Sequence, residues 1–251
     1  ETEDPSYESL SWQNASDALL LRGRLLAAQA AANRAQELAD RGRDQRERWS
    51  SAARRGAAFD RVGDVAAALD AFDQATLYNQ RQLHSGSGVY EAELHQRLGN
   101  KAVAREQTLA NLGECESARW GRLIVLCHDV LAWCDLPDDP ASARTHLDSL
   151  RAWAMRTGEV EMVLRAHLVA AMIHLAESNP SAALAEADEG IVVADTHGYG
   201  LLAIDLRLAA ARAHLARPDA GALGQEGLDD MAAKALAAAG DEDVFAGKFH
   251  G

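Results

Sequence analysis

Arg55-Gly56-Ala57-Ala58-Phe59-Asp60-Arg61-Val62-Gly63-Asp64-Val65-Ala66-Ala67-Ala68-Leu69-Asp70-Ala71-Phe72-Asp73-Gln74-Ala75 reads as a helix, a Gly-Asp turn and a second helix. Gly56 is a small residue in the first helix, and Phe59 follows one turn later. Gly63 sits where the chain must reverse. Ala68, Phe72 and Ala75 recur at i, i+4 and i+7, one face of the second helix. The pattern follows from packing: small residues at 56 and 68 let two helices cross closely, and Phe59 and Phe72 fill the space beside the crossing.

Working outward, the same unit recurs in weaker form. Gly23, Leu26 and Ala35 lie 33 residues before Gly56, Phe59 and Ala68. Ala92, His95, Gly99 and Ala104 lie 36 residues after the corresponding positions. Leu131, Cys134 and Ala143 give a fourth unit, with Asp138-Asp139-Pro140 as its turn. Ala171, His174 and Ala183 give a fifth, with Asn179-Pro180 opening its second helix. His214 marks a sixth, with the turn at Arg217-Pro218-Asp219. Gly158 and Gly198 are expected to close second helices as left-handed caps, and Gly113 and Gly240 to do the same. On this register the period lengthens from about 33 toward 40 residues. Residues 1–13 read as a flexible acidic leader, 14–240 as the repeat domain and 241–251 as a flexible tail. His84-Ser85-Gly86-Ser87-Gly88 reads as a long loop between units two and three.

The small–aromatic–Gly…Ala–aromatic–Ala pattern of Gly56, Phe59, Gly63, Ala68, Phe72 and Ala75 resembles the tetratricopeptide repeat. Ala52 stands where that family usually has Trp, and Gln80 where it usually has Pro. The lengthened units are similar to the degenerate repeats in the sensor regions of bacterial STAND-type signal-transduction ATPases and transcriptional regulators. The resemblance implies an all-α fold, a right-handed α-α superhelix of about six helix pairs. It also implies that the first helix of each pair lines a concave groove. The groove-facing positions are then Arg24, Asp60, Arg61, Glu93, Gln96, Arg97, His128, Asp135, Arg165, Met172, Asp205 and Arg212. The Lys/Asn clamp with which chaperone-binding members hold a peptide carboxylate is not reproduced, because Ala53 and Ala57 occupy its places.

Composition agrees with many thin helix–helix contacts. Hydrophobic residues are 48% of the 251, much of that share is Ala, and aromatics are only 5%. Ala is the best helix former and allows close approach. The formal net charge of -13 disfavours nucleic-acid backbones as partners. Arg41, Arg43, Arg46, Arg48, Arg54 and Arg55 form a local basic cluster, read either as a solvated helix face with intrahelical pairs or as a dock for an acidic partner. Three cysteines without disulfide spacing favour a reducing compartment. With no signal peptide and no long apolar run, the expectation is a cytoplasmic protein that does not enter the membrane. The sequence has no initiating Met, which leaves room for a place within a longer protein.

No phosphate loop, dinucleotide fingerprint, Cys-x-x-Cys, zinc-protease or nucleophile-elbow motif occurs. Cys127, His128, Asp129 and Cys134 invite a metal reading, but neighbours on a helix point about 100° apart and Cys127 lies two turns from Cys134. Buried structural cysteines are the plainer reading. His95, His174 and His214 share the position of Phe59, as packed imidazoles or as a pH-sensing cluster. Trp12, Trp49, Trp120, Trp133 and Trp153 read as packing wedges or as parts of an aromatic cage, and Trp133 and Trp153, which flank the Asp135–Pro140 turn, are the better candidates for a cage. No enzyme activity, cofactor or metal is expected. The expected role is a sensor or interaction module for a protein or peptide, within a larger bacterial regulator. The alternatives are a free-standing adaptor that scaffolds proteins, or a solenoid holding a small-molecule effector near His128 and Arg165.

Overall fold

The computed structural model describes residues 5–42, 44–79 and 85–217. Every regular element among them is an α-helix, and there are eleven. They are α1 (Pro5–Leu21), α2 (Leu25–Gly42), α3 (Gln45–Val62), α4 (Val65–Asn79), α5 (Ser85–Arg97), α6 (Lys101–Ser117), α7 (Gly121–Asp135), α8 (Pro140–Thr157), α9 (Val160–Ala176), α10 (Pro180–His197) and α11 (Gly200–Ala216). Consecutive helices pack as pairs, the organisation of a helical solenoid. The expected second helix of the sixth unit, its expected turn after Arg217, Gly240 and residues 241–251 fall outside the described residues. No described helix is long and apolar enough to cross a membrane.

Within the pairs, four turns share a hydrogen bond that fixes their register. The amide of Arg24 donates to the Leu19 carbonyl, Asp64 to Phe59, Asn100 to His95 and Asn179 to His174, all at 2.8–3.0 Å. Each bond closes over a left-handed residue: Gly23 (φ 76°), Gly63 (φ 96°), Gly99 (φ 80°) and Ser178 (φ 58°). Gly23 is therefore the counterpart of Gly63, not of Gly56. The register of the first unit is shifted by seven residues from the sequence expectation, and Leu19, not Leu26, stands where Phe59 does. From Leu19 to Phe59 is 40 residues and from Phe59 to His95 is 36, so the period does not start at 33 and lengthen.

Other boundaries follow from local chemistry. Asp44 caps α3 by accepting from the amides of Arg46 and Glu47. Asp139 and Asn179 cap α8 and α10, each followed by a proline in the first turn. Gly158 and Gly198 close α8 and α10 in the left-handed conformation, as expected. Gly113 does not end α6, which runs on to Ser117. The expected leader is also corrected: α1 begins at Pro5, and its Ser9, Gln13 and Ser16 are fully buried. Its polar buried face gave no hydrophobic period to read. Ser85–Gly88, expected as loop, is the first turn of α5. Asn111 of α6 holds it there, accepting from the Ser85 amide at 2.6 Å and donating to the Ser85 carbonyl at 3.0 Å.

The chain divides into two compact units, one ending at Cys127 and the other starting at His128, so the division falls inside α7. In the first unit Ala52, Ala53, Ala68, Phe72, Ala75 and Leu94 form a core, with Trp49, Phe59, Tyr78 and Tyr90 packed on it. A Cβ on Gly56 would lie 2.8 Å from the Phe72 ring, so α3 and α4 cross at that glycine. The second unit centres on Leu164, Leu168, Ala171, Ala187, Leu202 and Leu206, with Trp133 wedged against them. Gly190 repeats the close crossing there, its absent Cβ 2.8 Å from Leu206.

Candidate functional site

First helices of successive pairs also touch one another directly: α1 with α3, α3 with α5, and α9 with α11. Polar side chains converge along these contacts. In the first unit, Gln13 of α1 is fully buried. Its amide nitrogen donates to Glu47 at 2.8 Å and Ser51 at 2.9 Å, and its oxygen accepts from Ser50 at 3.0 Å and Arg54 at 2.9 Å. Arg54 pairs with Asp17 at 2.9 Å, and Tyr90 of α5 reaches Asp17 at 3.4 Å. Burial opposes the Arg54 charge, yet Asp17, Tyr90 and Glu47 raise its pKa above the ordinary value.

This network corrects the basic cluster. Arg41 and Arg46 are exposed, but the others with described partners reach other helices. Arg48 meets Asp40 at 3.5 Å, Arg54 meets Asp17, and Arg55 donates to Gln74 at 2.8 Å while lying over Phe59. These arginines tie α3 to its neighbours instead of pairing along their own helix.

Four of the predicted groove residues come together between α3 and α5. Arg61 pairs with Glu93 at 2.9 Å, Arg97 pairs with Asp60, and Arg97 lies 3.8 Å from Glu93. Two acids and two bases thus alternate in a self-neutralising ladder. Gln96 lies half-buried beside it. Arg24 does not join this face. It is exposed in the α1–α2 turn, a consequence of the seven-residue register error. The corrected position in α1 belongs to Asp17, which does pair across helices.

In the second unit, Arg165 of α9 holds Asp129 at 2.5 Å and Glu161 at 3.0 Å, both carboxylates being buried. His128 of α7 meets His146 of α8, Nδ1 to Nδ1, at 3.0 Å, and Nε2 of His146 is 3.5 Å from Asp135. Met172 of α9 and Arg212 of α11 touch through Sδ and Nη1 at 3.9 Å, and Asp205 lies half-buried on α11. Sequence reading missed Gln13, Asp17 and His146, and weighed Asp129 only as a metal ligand. Asp17 was hidden by the register error, Gln13 lay in the supposed leader, and His146 sits on a second helix.

The remaining candidates are placed as follows. Cys115, Cys127 and Cys134 are free and buried. Burial and the neighbouring Cys115 push the Cys127 thiol up to about 12, which keeps it from acting as a thiolate. Among the described residues no three His, Cys, Asp or Glu side chains converge as metal ligands. Burial lowers the pKa of His95, and His174 lies 3.8 Å from Glu177. Trp153 donates to Glu159 at 3.0 Å with Arg156 over its ring. No protein-family model matches the sequence, and no curated protein matches it either.

Proposed function

We propose that the chain is a non-catalytic interaction module, a helical-repeat platform that takes a protein or peptide partner on the face of its first helices. The observation that carries this reading is the direct packing of α1 on α3 on α5, and of α9 on α11, with polar and charged side chains gathered along those contacts. Gln13, Arg54, Arg61 and Arg97 are each held by a partner on a neighbouring helix, and side chains ordered beforehand bind with little ordering cost. Repeat intervals of 36 and 40 residues motivate a further assignment to the sensor part of a larger bacterial signalling or transcriptional regulator.

Hydrogen–deuterium exchange on the full chain with a captured partner tests the first claim. Added protection is expected in the last two turns of α3, α5 and α9. Protection confined to α4, α6, α8 and α10 overturns it. For the assignment to a regulator, the reading frame around this segment in its source genome is expected to encode a nucleotide-binding module.

A further inference from the structure

We propose that His128, His146 and Asp135 form a proton-operated clasp between α7 and α8, closed by one shared hydrogen bond and opened when both imidazoles are protonated. His128 and Asp135 are seven residues apart on α7 and so share a face. His146 of α8 reaches that face, and α7 addresses both of its ring nitrogens. Nε2 lies 3.5 Å from Asp135 and Nδ1 lies 3.0 Å from Nδ1 of His128. The side chains of His146 and Asp135 are 18% and 7% exposed, so solvent screens the contact poorly.

The carboxylate sets the tautomers. Asp135 favours a proton on Nε2 of His146, which leaves its Nδ1 as an acceptor. His128 then donates from Nδ1. A first added proton leaves that hydrogen bond between the two Nδ1 atoms in place. A second must go to Nδ1 of His146, where it turns the hydrogen bond into two N–H groups aimed at each other across 3.0 Å and sets two positive charges side by side. Other charged groups near the cluster include Asp129 on α7 with Arg165 and Glu161 on α9, and Asp138 and Asp139 in the turn that joins α7 to α8. Asp135 contacts the clasp through Nε2 of His146.

The two imidazoles therefore titrate as a coupled pair in two separated steps. The folded state takes the second proton less readily than the unfolded chain, whose histidines titrate near ~6.5. Fewer protons bound in the fold means that stability is present above that value and is lost as pH falls below it.

The test is an imidazole NMR titration of the full chain, with melting temperature followed from pH 7.5 to pH 5 as ~2.5 units of acidification. Signals of His128 and His146 are expected to move together in two steps. In His146→Asn, His128 is expected to show one step, and the acid loss of melting temperature is expected to shrink. Single, independent steps for both imidazoles in the unsubstituted protein overturn the proposal, as does an unchanged acid loss in folded His146→Asn. Should that variant not fold, the titration of the unsubstituted chain alone decides.

Discussion

Two glycines in this chain carry opposite consequences, and the neighbours of each decide which. Gly56 has the Phe72 ring where a Cβ would go, at 2.8 Å, and Phe72 is itself 2% exposed with no room to retreat. Gly56→Ala is expected to destabilise the fold by about 1–3 kcal/mol, the usual cost of overpacking, and Phe72→Leu in that background to restore part of it. Urea unfolding midpoints of the three proteins check this. Gly113 lies inside α6 with nothing within 4 Å of its missing Cβ. Gly113→Ala is expected to gain about 0.5–1 kcal/mol by the helix propensity alone. The sequence made Gly56 legible because two aromatics and two small residues surround it at fixed spacing. It did not separate Gly113 from a cap, nor Gly23 from a crossing glycine. A glycine that turns the chain and one that lets a helix approach are the same letter. The hydrogen bond from Arg24 to Leu19 and the left-handed φ of 76° at Gly23 tell them apart.

Between elements, what the sequence concealed is mostly polar. The faces of α3 and α4 were readable from Ala52, Ala68, Phe72 and Ala75, since apolar periodicity is the main signal for a helix. The contact of α1 with α3 runs through Ser9, Gln13 and Ser51, all 0% exposed, and period analysis discards those residue types as surface. Gln13→Ala leaves Arg54 and Glu47 each short of a partner. It is expected to cost on the order of 1–3 kcal/mol, whereas the exposed neighbour Asn14→Ala is expected to be nearly neutral. Thermal unfolding of both variants measures the difference. Glu91 of α5 presents the converse case. Burial holds its carboxyl above the ordinary range near 4.5, Asp73 adds to that, and a hydrogen bond with Gln107 opposes it. The fold therefore keeps the proton that the unfolded chain releases. Stability from this group is present below about 4.5 and is lost as pH rises through the folded value. Glu91→Gln is expected to raise the melting temperature at neutral pH, with the gain vanishing toward the ordinary carboxyl range.

At the scale of the molecule, charge sets what the fold can meet. The helix-pair class was open to sequence reading because each unit repeats it, and one clear unit lends its register to the others. The charged face was only half legible. Asp60, Arg61, Glu93 and Arg97 were identified as neighbours on one face, but their mutual pairing depends on how far α3 slides along α5, which no spacing within either helix states. That pairing bears on the net charge of -13, because Arg54, Arg61, Arg97 and Arg165 of the first helices are already engaged with acids, and the chain's 38 acidic residues outnumber its 25 basic ones. Exposed pairs such as Arg151–Glu186 weaken in salt and are worth little to begin with. Half-buried ones such as Arg165–Asp129 are screened less. The repulsion among surplus carboxylates is spread over the surface and is strongest in the compact state. Salt at ~0.15 M, where the screening length is about 8 Å, therefore removes more repulsion than attraction. The melting temperature is expected to rise between low salt and that concentration. A fall over the same range would show that the surface ion pairs, rather than the surplus charge, govern the salt response of the folded chain.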